Sequence, residues 1–153
     1  QIENHAWEHS RRTNFFSVAR LRESLARTQT AVAEATGRAP TCFRPPMGLT
    51  NFRVFRAVDS LRLQVVGWSA GGRDQNEPDP HRIVDRILRR LRPGAIVLLH
   101  DGGVPADRLV TTVDLLVDKL QAAAYECVRL DALVAAHANA APSVSGACAD
   151  VKR

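Results

Sequence analysis

Two histidines, His5 and His9, stand four residues apart in "NHAWEHS" near the start of the chain. One turn of helix separates residues at that spacing, so both imidazoles could serve one metal ion. Two ligands do not complete a metal site, and with five histidines in the chain the spacing alone is a weak signal. Other polar groups lie further on: Arg44 in "FRPPMG", Asp74 in "GGRDQ", and His100 with Asp101 in "IVLLHDGG". His100 follows a run of Ile, Val and Leu. It would sit at the mouth of a buried strand, where its neutral and charged forms are both accessible.

Any joint chemistry depends on the elements that carry these residues. A helix is expected from Phe15 to Thr36, with Asn14 as N-cap and Gly37 as stop. "TCFR" reads as a short strand ended by Pro45 and Pro46. Asn51 caps a helix to about Leu61, and "LQVVGW" reads as the next strand. A polar loop from Ser69 to Pro80 leads into the basic helix "HRIVDRILRRLRP". "AIVLLH" has the continuous apolar character of a strand buried on both faces. Leu109, Val110, Val113, Leu116, Val117 and Leu120 mark another amphipathic helix. "YECVRL" is a fourth strand, and Asp131 starts a last short helix.

Strand and helix thus alternate, which implies right-handed crossovers and parallel strands, in an open α/β sheet or part of a β/α barrel. In either case the strand ends point one way and chemistry collects there. Arg44, Trp68 and His100-Asp101 close three successive strands, and Asp74 lies in the loop after the second. Each could be a turn or surface residue alone; their common position gives them weight.

The 153 residues are the size of one domain, and 45% of them are hydrophobic. No apolar run is long enough to cross a membrane. The net charge of +5 comes mostly from arginine. In the basic helix Ile83, Val84, Ile87, Leu88 and Leu91 share one face, which makes the arginines a solvated opposite face. A nucleic-acid or anionic surface is the competing reading. It is disfavoured because no exposed aromatics interleave the arginines, so no nucleic-acid partner is expected. Of three cysteines, Cys42 and Cys127 read as buried inert thiols and Cys148 lies in the tail. Residues from about Ala135 onward are small and polar and are expected to be a disordered tail, leaving 1–134 as the folded domain.

Taken in order, "NHAWEH", "FRPPMG", "VVGWSAGGRD" and "IVLLHD" resemble the polysaccharide deacetylases of the NodB-homology type. The similarity runs from Gln1 to about Leu133 and includes the linking text "TGRAP", "GLTN" and "RPGAIVLLHDG". It implies the C-terminal portion of a distorted (β/α) barrel in a metal-dependent, most often zinc-dependent, hydrolase. Such a hydrolase removes acetyl groups from a polysaccharide such as a chitin-like or peptidoglycan glycan. The resemblance makes His5 and His9 two of three metal ligands. It makes Arg44 the arginine that charge-pairs the catalytic base, and the Met47 N–H an oxyanion donor. Leu98 would line the acetyl-methyl pocket, and Trp68 would form an apolar wall for a sugar face. His100 would protonate the leaving amine, with Asp74 pairing with it to favour the imidazolium.

The third ligand and the base belong to a Thr-Phe-Asp-Asp-Gly motif that the resemblance places ahead of Gln1. The chain is therefore expected to be an incomplete and inactive part of an enzyme. The alternative is a catalytically dead remnant that binds sugar or metal. An opened barrel should also expose strand edges and an apolar flank. The sequence departs from the family pattern at Glu3 (often Gly), Ala6 (often Ser or Thr), Met47 (often aromatic), Gln75 (often Trp) and Ala124 (usually Gly). The envelope location common in the family is an expectation by analogy.

Overall fold

The computed structural model describes residues 1–140, with side chains to residue 136. Its elements are α1 (Val18–Thr36), β1 (Cys42–Phe43), α2 (Phe52–Ser60), β2 (Gln64–Val65), β3 (Ala70–Gly71), α3 (Pro80–Leu88), β4 (Val97–Leu98), α4 (Ala106–Ala122) and α5 (Leu130–Ala140). The strands pair in parallel, β1 with β2 and β3 with β4, so two short sheets replace one. Two apolar clusters match them. Leu21 and Leu25 of α1 meet Phe43 and the Val54, Ala57 and Val58 face of α2. Ile83, Val84 and Ile87 of α3 meet Ala70 and the Leu116 and Leu120 positions of α4.

β2 and β3 lie almost end to end in the chain. Val66 N–H still donates to the Phe43 carbonyl at 2.8 Å, whereas Ser69 N–H donates to that of Ile96 at 3.0 Å. The segment therefore changes sheets at Gly67-Trp68, as strands do at the corners of orthogonal packings. The sequence reading stopped this strand at Trp68 and made a loop of the rest. β3 lies there beneath α3, with Ala70 fully buried against Ile83, Val84 and Ile87 in the second apolar cluster. Gly72 shows how close that approach is: a Cβ added to it would overlap Ile83 Cγ2 and stand 3.0 Å from the Ile83 carbonyl oxygen.

Caps explain the helix boundaries. Ser17 Oγ accepts from Arg20 N–H, so α1 starts at Val18 and not at Phe15. Asn14, the expected cap, instead offers its carbonyl to Asn51 Nδ2 at 2.7 Å. Gly37 ends α1 in the left-handed region at φ 72°. Asn51 caps α2 as expected, accepting from Arg53 and Val54 N–H. Asp79 caps α3.

Several expectations need correction. "AIVLLH" is only half-buried, with its ladder confined to Val97–Leu98. "YECVRL" forms no strand, since no ladder partner flanks it among the described residues; it stands off from β4 across a cleft of about 300 Å³. Cys127, on that unpaired segment, is exposed for the same reason, while Cys42 is buried. Helix α5 continues to Ala140, past the expected start of the tail at Ala135. Cys148 and the rest of that tail lie outside the described residues. The arginine face of the basic helix is solvated at Arg82, Arg89 and Arg90 as expected, while Arg86 reaches back to the buried Glu77 at 2.6 Å. Val110, Val113 and Val117 remain exposed, so the buried stripe of α4 is narrower than its apolar pattern implied and runs through Thr112, Leu116 and Leu120.

Substituting Gly72→Ala should destabilise the chain by ~1–3 kcal/mol through overpacking against Ile83. Gly102→Ala, where an added Cβ meets nothing within 4 Å, should be near neutral. Urea unfolding midpoints of the two variants check this.

Candidate active site

The histidine pair is not helical. Residues 5–9 form an irregular loop in which Ala6 takes φ 65°, and that turn brings the His5 and His9 ring centroids to 5.0 Å. Asn4, just before it, is 1% exposed and saturated with bonds. Its backbone bridges Phe43, donating to the Cys42 carbonyl and accepting from Arg44 N–H. Its side chain donates to the Leu25 carbonyl at 2.9 Å and to Gln29 Oε1 at 3.0 Å, while its Oδ1 accepts from Ala6 N–H. Asn4 thus pins the loop between β1 and α1. Sequence reading missed it because its partners lie a whole helix away. Trp7 points aside and packs under the Arg27 guanidinium, 3.7 Å from the ring centroid.

His5 Nδ1 lies 2.6 Å from the Arg44 carbonyl oxygen. A carbonyl only accepts, so Nδ1 carries the hydrogen and Nε2 keeps a lone pair, the arrangement of a metal-ligating histidine. Desolvation by the surrounding atoms holds the His5 pKa below its ordinary value despite that bond. His9, Arg44 and His100 push the same way, favouring the neutral form a ligand needs. The two imidazoles suit a borderline metal such as zinc, but they do not enclose one. Among the described residues no group of three or more His, Cys, Asp or Glu could hold a metal ion.

Arg44 follows β1. Its Nη2 donates weakly to the Gly67 carbonyl at 3.3 Å, and its Nε is buried with no partner. Burial holds its pKa below the usual arginine value. A buried guanidinium N–H without an acceptor is costly, so Arg44 Nε, like Arg108 Nε, is a donor that lacks its acceptor among the described residues.

Asp74, 2% exposed, grips His100 twice. Its Oδ2 accepts from the backbone N–H of His100 at 2.6 Å, and its Oδ1 lies 2.9 Å from Nδ1. A carboxylate also only accepts, so Nδ1 bears hydrogen and Nε2 is the nitrogen left over. One cavity of about 700 Å³ joins these elements. His5, His9, Arg44, Met47, Trp68, Leu98 and His100 all line it, with Asp74 behind His100. Asp101, Gln75 and Arg129 line it too; Arg129 went unremarked in the sequence because its segment read as plain strand.

Glu3, which the sequence showed only as a departure from the family pattern, has a structural role. Its Oε2 accepts from Thr41 and Cys42 N–H, both at 2.7 Å, and so replaces a strand carbonyl beside β1. Burial pulls its pKa upward, but the bonds from Cys42, Gln1 and Thr41 outweigh that and leave it below the usual glutamate value. A lowered carboxyl pKa adds stability that is complete above the unfolded value and is lost as pH falls through the folded one. The thermal midpoint of the wild-type chain should therefore fall more steeply than that of Glu3→Gln between pH ~5 and ~3. Parallel acid limbs would show that the bonds add nothing.

Residues 1–66 match the family described as polysaccharide deacetylase. Over 133 residues the chain is 30% identical to the peptidoglycan-N-acetylglucosamine deacetylase PgdA of Listeria monocytogenes, covering 87% of this chain and 27% of that protein. Its fold superposes with a TM-score of 0.79 on a family 4 acetyl xylan esterase from Clostridium thermocellum, solved with a cobalt ion. That pair is 29% identical, covering 90% of this chain and 65% of the esterase. A CE4 family pseudoenzyme from Bacillus anthracis gives a TM-score of 0.78 at 25% identity, over 88% of this chain and 46% of its own. The chain therefore spans less than two thirds of each of these relatives.

Proposed function

The chain belongs to the polysaccharide deacetylase family, and from that premise we propose that it forms part of a metal-dependent hydrolase that removes acetyl groups from a glycan. N-acetyl is favoured over O-acetyl, and the substrate is a peptidoglycan or chitin-like chain. One observation carries the reading: a single cavity gathers Arg44, Met47, Trp68, Leu98 and His100 from the ends of β1, β2 and β4 with His5 and His9 of the loop before α1.

His5 and His9 would hold the divalent ion, zinc by the donor chemistry of imidazole. When bound, that ion would polarise the acetyl carbonyl and activate a water. The remaining work falls to this chain's own groups. Asp74 anchors His100 through its backbone and through Nδ1, so the ring presents Nε2 as the atom that can pass a proton to the leaving amine. The Met47 N–H stands on a tight turn, with Met47 at φ 59°, where it can donate to a developing oxyanion. Leu98 supplies an apolar contact for the acetyl methyl, and Trp68 a flat wall for a sugar ring. Arg44 Nε would pair with the carboxylate base.

That base and a third metal ligand are absent from this set, so the chain alone should not turn over. The similarity to a pseudoenzyme keeps a second reading in view, a remnant that retains only a sugar or metal surface. A glycan substrate of this class would put the protein at the cell envelope or outside the cytoplasm. No helix among the described residues is long and apolar enough to cross a membrane.

Acetate release from N-acetylated chito-oligomers with added zinc tests the proposal. The chain alone should release none. Fused behind the N-terminal half of a relative's barrel, it should release acetate, and His100→Ala in the fusion should lower kcat by ~10²–10⁴. Release by the chain alone, abolished by His9→Ala, would overturn its incompleteness. A well-folded fusion that releases nothing would favour the remnant.

A further inference from the structure

We infer that Gly48 is a positioning residue for the sugar-facing wall: the space its missing side chain leaves is the seat of the Trp68 indole. The inference rests on the reading of Trp68 as that wall. A Cβ added at Gly48 would overlap Trp68 Cη2 and lie 2.9 Å from Cζ3 and 3.3 Å from Cζ2. The six-membered ring thus rests directly on the Gly48 backbone. The opposite edge faces Gly71, where a Cβ would stand in ordinary contact, 3.4 Å from Trp68 Nε1 and 3.5 Å from Cδ1. One glycine follows β1 and the other lies in β3, so the indole spans the junction between the two sheets.

The seat is shaped by its own turn. Met47 and Gly48 are both left-handed, at φ 59° and 68°, and Gly48 N–H donates to the Pro45 carbonyl at 3.0 Å. Trp68 remains 38% exposed and lines the cavity with Met47. A methyl group at position 48 must move the indole off the turn and toward the cavity, narrowing the place where a sugar face would lie. Left-handed strain alone would do nothing of the kind. Gly37 separates the two effects, because it sits at φ 72° with nothing within 4 Å of an added Cβ.

The test uses the whole chain with Trp7→Phe, which leaves Trp68 as the sole tryptophan of the two. Gly48→Ala should raise acrylamide quenching of Trp68 and weaken the fluorescence response to chitotetraose about ten-fold. Gly37→Ala should lower the urea midpoint yet leave both readouts unchanged. The shorter ring of Trp68→Phe should relieve the overlap, so Gly48→Ala should cost less stability in that background than with Trp68 present. Equal costs in the two backgrounds would overturn the seat. Unequal costs with undiminished chitotetraose binding in Gly48→Ala would overturn the positioning role and leave the deacetylase reading intact. A parent chain whose Trp68 ignores chitotetraose would remove the sugar-facing wall, and the positioning role with it.

Discussion

The structure depends on one segment that belongs to two sheets. Between Gln64 and Gly71 the backbone bonds first to β1 and then to β4, turning at Gly67-Trp68. Each side of that turn carries its own apolar cluster, closed by a pair of helices. Without the crossing segment the halves would share no ladder, and the ends of β1 and β4 would have no reason to face a common space. The turn makes Arg44, Trp68 and His100 neighbours around one cavity.

Buried polar groups set the finer geometry. Asn4 fixes the histidine loop, Asp74 fixes His100, and Glu77 ties the loop after β3 to α3 through Arg86. Each sits inside the fold, where an unmatched polar atom would be costly, and each is matched. Arg44 Nε departs from that pattern, on the wall where a carboxylate partner is proposed. His100 and the loop of His5 and His9 are each held in place by such buried bonds.

Much of this was legible in the sequence, for identifiable reasons. The alternation of elements, the Asn51 cap, the Gly37 stop and the apolar face of α3 follow from local rules, and the structure keeps them. Arg44, Trp68 and His100 could be placed on one face because strand ends are visible as the close of apolar runs. What failed was non-local. "YECVRL" has every local mark of a strand, but a strand needs a neighbour, and none lies beside it among the described residues. The bend at Gly67, the roles of Glu3 and Asn4, and the seat of Trp68 all depend on contacts between distant segments. His5 and His9 do come together, but not through helical spacing: a loop with Ala6 at φ 65° brings their rings side by side.

The central claim is that this chain carries the two-histidine side of a metal site. Calorimetric titration of zinc into the 153-residue chain tests it most directly. Weak binding is predicted, abolished alike by His5→Ala and His9→Ala and unchanged by His81→Ala on the outer surface of α3. Zinc binding that survives loss of either loop histidine, or that depends on His81, would contradict the account.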